Sequence, residues 1–129
     1  TYGQSKYYYI NKNLKVSLEK VTQEKYFIVY SQITGNESYF GTTLIIENIN
    51  KEPIDKTSFN YIYIKDPKTN TTYYPIPYYE IENIPTDRPL KWKAKFYAKF
   101  LPLPYQTQFI DIYFRFCNLN FVLNNVDIR

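Results

Sequence analysis

Residues 89–100 read PLKWKAKFYAKF, and the periodicity of this stretch decides the fold class. On a strand, successive side chains point to opposite faces. Leu90, Trp92, Ala94, Phe96, Ala98 and Phe100 then share one side, and Lys91, Lys93, Lys95, Tyr97 and Lys99 share the other. Large and small apolar residues alternate on a face suited to packing, while the lysines meet water. Wound as a helix, the same lysines would scatter over about 200° and mingle with Trp92 and Phe96. The stretch is expected to be a strand.

The same alternation extends outward in both directions, and no segment carries a helical stripe. Upstream, NLKVSLEKV places Leu14, Val16 and Leu18 on one face, and KYFIVYSQ follows after a polar gap. A hairpin-like turn at TGNES leads into YFGTTLIIENI, the best candidate for a central strand. FNYIYIKD, the turn PKTN and the strand TTYYPI come next. The stretch from Pro75 to Pro89 holds four of the eight prolines and reads as a long connection that carries the chain from one sheet to the other. Beyond LPLP lie TQFIDIYFRF and a short final strand, NFVL. About eight strands with regular turn signals predict an all-β domain spanning 1–129, an immunoglobulin-like β-sandwich. A small closed barrel is the alternative.

At 129 residues a single domain of this length buries roughly two thirds of its unfolded surface, enough for a real core. The composition is unusual in having 16 Tyr, 9 Phe and 1 Trp against 3 Gly, no Met and no His. Tyrosine joins an apolar ring to a polar tip and suits half-wet sheet faces. Cys117 is the only cysteine, so no intrachain disulfide forms, and a buried thiol is expected. No Met opens the chain, which suggests that Thr1 is not the natural start and that a signal or a hydrophobic N-terminus precedes it.

The sequence argues against catalysis. Absence of histidine removes the commonest general base, proton shuttle and metal ligand. Gly3, Gly35 and Gly41 are too scattered to cradle a phosphate. Glu80 and Glu82 are read as part of a solvated loop rather than a carboxylate pair. A non-enzymatic binding or structural module with no cofactor and no metal is expected.

Three surfaces are candidates for contact. Sheets that bind single-stranded nucleic acid need rings and cations on the same face, and here only Tyr97 accompanies the lysines, so nucleic acid is not an expected partner. Lys91, Lys93, Lys95 and Lys99 are left as a solvated face, as protection of an edge strand, or as a candidate surface for an acidic partner. In FNYIYIKD, Phe59, Tyr61 and Tyr63 form one face, and Asn60, Ile62, Ile64 and Asp66 the other. The polar ends of the second face assign it outward, which makes Ile62 and Ile64 a candidate self-association interface and predicts a homodimer that Ile62→Lys converts to a monomer. Asn36 in NES and Asn70 in NTT match the glycosylation acceptor pattern in predicted turns and fit an exterior location.

Through TTLIIENINKEPI, FNYIYIKDPKTNTTYY and FIDIYFRF, with an excess of Ile, Lys, Asn and Tyr, nearly the whole chain resembles the soluble domains of archaellum (archaeal flagellum) accessory proteins of the F and G types. The resemblance lies in length, composition and strand order. It implies an immunoglobulin-like sandwich between cytoplasmic membrane and surface layer, anchored by an N-terminal membrane helix that lies outside this sequence. It also implies a stator that binds the surface-layer protein and other archaellum subunits. Two other classes stay open: a pilus or thread subunit that donates an edge strand, and a carbohydrate-binding module using Tyr78 and Tyr79.

Overall fold

A computed structural model describes residues 7–30, 33–49, 58–82 and 93–129. Nine strands run through them: β1 (Tyr8–Asn11), β2 (Leu14–Tyr30), β3 (Ile33–Asn48), β4 (Phe59–Asp66), β5 (Thr71–Tyr73), β6 (Pro75–Glu82), β7 (Lys93–Phe100), β8 (Phe109–Phe116) and β9 (Leu119–Asp127). They form a five-stranded sheet in the order β1-β2-β3-β7-β6 and a four-stranded sheet in the order β5-β4-β8-β9, antiparallel throughout. Setting β1 aside, β2-β3-β7-β6 and β5-β4-β8-β9 reproduce the ABED and C′CFG sheets of an immunoglobulin sandwich. The expected fold class is therefore present, and β3 is the middle strand of the larger sheet.

The core lies where the two inner faces meet. Leu14, Val16, Leu44, Ile46, Ala94, Phe96, Ala98 and Phe100 come from the larger sheet, and Ile62, Ile64, Ile110, Ile112, Phe114, Phe116 and Phe121 from the smaller. Aromatic contacts tie the layers together: Phe59 stacks on Phe96 at 4.7 Å, and Phe96 meets Phe114 at 5.0 Å. Truncating a phenylalanine in such a core costs about 3–5 kcal/mol.

Three local expectations are corrected. The two upstream segments form one long strand, β2, with a bulge between Leu18 and Lys20. TGNES is not a turn, because Gly35 pairs with Ile28 and Asn36 with Phe27, and the hairpin reverses between Tyr30 and Ile33. The sheet-to-sheet crossing occurs at Tyr74, between β5 and β6, rather than along Pro75 to Pro89. Pro75 and Pro77 sit in β6, the outer strand of its sheet, where a missing N–H breaks no second ladder.

With few glycines, other residues adopt left-handed backbone. Asn70 (φ 61°) closes the PKTN turn as expected, its N–H donating to the Asp66 carbonyl at 2.7 Å. Cys117 (φ 53°) and Asn118 (φ 60°) are the central pair of a two-residue turn between Phe116 and Leu119, the type I′ geometry that suits twisted hairpins. Asn60 clamps it: Asn118 N–H donates to Asn60 Oδ1 at 3.0 Å, and Asn60 Nδ2 donates to Asn118 Oδ1 at 3.2 Å. The Cys117 thiol is half-buried rather than fully buried. Burial pushes its pKa up, partly offset by a backbone hydrogen bond involving Ser58.

Candidate binding surfaces

β4 carries the largest departure from expectation. Ile62 and Ile64 are 2% and 0% exposed and belong to the core, while Tyr61 and Tyr63 face outward. The self-association surface proposed for the two isoleucines is therefore absent. Both polar ends of that face have local causes. The register shifts between Phe59 and Tyr61, a bulge that leaves Asn60 exposed and lets Phe59 pack inward despite its odd number. At the other end Asp66 is buried because its Oδ1 accepts from Lys68 N–H at 2.9 Å and Thr69 N–H at 3.4 Å.

The inversion turns a row of tyrosines toward solvent. Tyr63 pairs with Tyr113 across β4 and β8, and their rings stack at 4.8 Å with planes 15° apart. Tyr61 stacks on Tyr63 at 5.7 Å, and Tyr74 approaches Tyr63 at 6.0 Å. Tyr61 and Tyr74 are exposed; Tyr63 and Tyr113 are half-buried at the centre. Alternation places Lys65 and Arg115 on the same face. Arg115 Nη1 donates to Asn120 Oδ1 at 2.6 Å, and the Tyr61 hydroxyl donates to the same oxygen at 3.4 Å. Desolvation raises the Tyr63 pKa, and the neighbouring phenols Tyr61, Tyr113 and Tyr74 raise it further. At the β9 margin the platform dips into a cleft of about 290 Å³ between Tyr9, Tyr61, Tyr113 and Val122.

The lysine strand lies on the other sheet and has the expected two sides. Ala94, Phe96, Ala98 and Phe100 are buried, and Lys93 and Lys95 are exposed. Lys91 and Trp92 lie outside the described residues. β7 runs between β3 and β6, so its lysines do not guard an edge. Lys95 pairs with Glu19 at 3.1 Å, and Lys99, half-buried, sits 4.5 Å from the Tyr39 ring centroid. A surface ion pair such as Lys95–Glu19 contributes little, typically about 0–1 kcal/mol.

Asn70 is exposed on its turn. The side chains of Asn36, Tyr78, Tyr79, Glu80 and Glu82 lie outside the described residues, although Glu80 and Glu82 belong to β6 rather than to a loop. Among the described residues no three metal-binding side chains converge, and no helix is long and apolar enough to cross a membrane.

The tyrosine platform is hidden in the sequence because the polar residues at the ends of β4, Asn60 and Asp66, mark the wrong face as the outer one. A usable signal was present in FIDIYFRF, where Ile110, Ile112, Phe114 and Phe116 oppose Asp111, Tyr113 and Arg115. There tyrosine keeps company with charge, and the isoleucines keep company with phenylalanine. The same rule applied to β4 turns Tyr61 and Tyr63 outward. In comparison with known proteins, no family model, no curated protein and no solved structure matches the chain.

Proposed function

We propose that this protein is a non-catalytic adhesion domain of the cell envelope, a stator that holds the surface-layer protein through its tyrosine face and gives the archaellum motor a fixed point. The observation that carries the binding role is the platform on the outer face of the smaller sheet, in which Tyr61, Tyr63 and Tyr113 stack and Tyr74 tilts against Tyr63 from the sheet margin. Tyrosine supplies large contact area with few torsions to freeze, and such residues concentrate binding energy at protein interfaces. Lys65 and Arg115 beside the rings, set against the carboxylate of Asp111 opposite Lys65, leave a weakly basic face that suits an acidic partner, in keeping with a net charge of +4. The resemblance to archaellum accessory domains supports the choice of partner and a position between membrane and surface layer. An N-terminal helix outside this sequence would supply the anchor.

Retention of the domain on isolated surface-layer protein tests the proposal. Wild-type protein is expected to be retained, and Tyr63→Ala to reduce retention about tenfold or more, as for an interface hot spot. No retention of the wild type across a range of pH overturns it.

A further inference from the structure

A second concavity lies at one end of the sandwich, between the β4–β5 turn and the connection from β7 to β8. It encloses about 780 Å³, within the range of small-molecule sites at roughly 300–1,000 Å³. Loops gathered at the end of a sandwich are a usual place for recognition. Neither the lysine face nor the tyrosine platform contributes to its lining.

Its lining selects a ligand chemistry. Gln106, Gln108 and Asn125 bring carboxamides, which both donate and accept. Among the described residues these three side chains make no hydrogen bond; Asn125 reaches Asp111 Oδ1 through its backbone N–H. Phe109, 41% exposed, and half-buried Tyr73 add aromatic surface. Lys68 is the single cation and Asp66 the single carboxylate of the lining, and Asp66 already accepts two backbone N–H groups through Oδ1.

An anion would find one ammonium set against a carboxylate, and a cation would find a carboxylate already engaged. A neutral polyol fits better. Sugar hydroxyls donate and accept, which matches carboxamides, and the C–H face of a pyranose packs on an aromatic ring. We infer that this end cleft binds a neutral saccharide, independently of the partner held by the tyrosine face.

The test is titration of isotopically labelled protein with cellotriose, maltotriose and mannotriose, and separately with inorganic phosphate, followed by backbone amide shifts. At least one trisaccharide is expected to shift the amides of residues 66, 68–73 and 105–109 saturably. Phe109→Ala and Gln106→Ala, both at exposed positions, are each expected to weaken that binding about fivefold or more, and Tyr63→Ala to leave it unchanged. No saturable shift with any trisaccharide overturns the inference. Equal response to phosphate, or wild-type affinity in both cleft variants, does so too. Loss of surface-layer retention with intact sugar binding would leave it standing, so the two readings fail separately.

Discussion

Thr42 lies fully buried on β3, and its hydroxyl has no hydrogen-bond partner among the described residues. Leaving a buried donor and acceptor unmade costs about 1–3 kcal/mol. Thr42→Val keeps the shape and removes the polar atom, so the unfolding free energy from urea titration is expected to rise by about 1 kcal/mol. An unchanged or lower value would mean that the hydroxyl is satisfied. At this scale the sequence was only partly legible. Asn70 in PKTN could be foreseen, because asparagine tolerates left-handed backbone. Lys12 and Cys117 adopt the same conformation without the usual residue type, and their turns follow from strand register rather than from turn chemistry. Asp66 and Asn60 misled for a related reason: a polar residue at a strand end is solvated by a turn or set aside by a bulge, so it does not report which face is wet.

For single elements, period two identified β7 with its correct faces, because charge and apolar bulk alternate there without ambiguity; β8 alternates as clearly, and its faces could have been read the same way. On β4 both faces are largely apolar by composition, and only the phenol tips distinguish them. Ile62→Lys tests the assignment. The substitution places an ammonium in the core beside Phe114, its cross-strand partner, and is expected to unfold the domain rather than divide a dimer. A folded Ile62→Lys protein by circular dichroism would contradict the buried assignment. The tyrosine row adds a pH dependence. Folding raises the Tyr63 pKa above the ordinary 10.0, chiefly by desolvation and then through its phenol neighbours, so the folded state favours the neutral form. Its contribution is complete below the unfolded value and is lost as pH rises through the folded one. Urea midpoints are expected to fall as pH rises past the ordinary phenol value of 10.0, and to fall less in Tyr63→Phe. Equal losses in the two proteins would show that Tyr63 is not the group responsible.

For the whole molecule, the sandwich class followed from strand spacing and the near absence of glycine-rich or helical segments. Its pairing did not. Phe40 through Glu47 pair with Phe100 through Lys93, contacts between residues far apart in the chain that alternation cannot register. The crossing at Tyr74 was hidden because one residue separates β5 from β6, so that TTYYPI reads as one strand and the remainder of β6 as part of the connection. Function is the least legible level, since a sandwich is a frame on which many surfaces can be built. What distinguishes this one is its division of surfaces: lysines on one sheet, stacked tyrosines on the other, and a polar cleft at the end. The central claim, that the tyrosine face holds the surface-layer protein, is tested most directly by the affinity of the Tyr63→Ala/Tyr113→Ala variant for isolated surface-layer protein, beside wild type and Lys95→Ala. A loss of about tenfold or more in the folded double variant, with Lys95→Ala close to wild type, is the predicted result. Undiminished binding by the double variant, or no binding by the wild type, would contradict it.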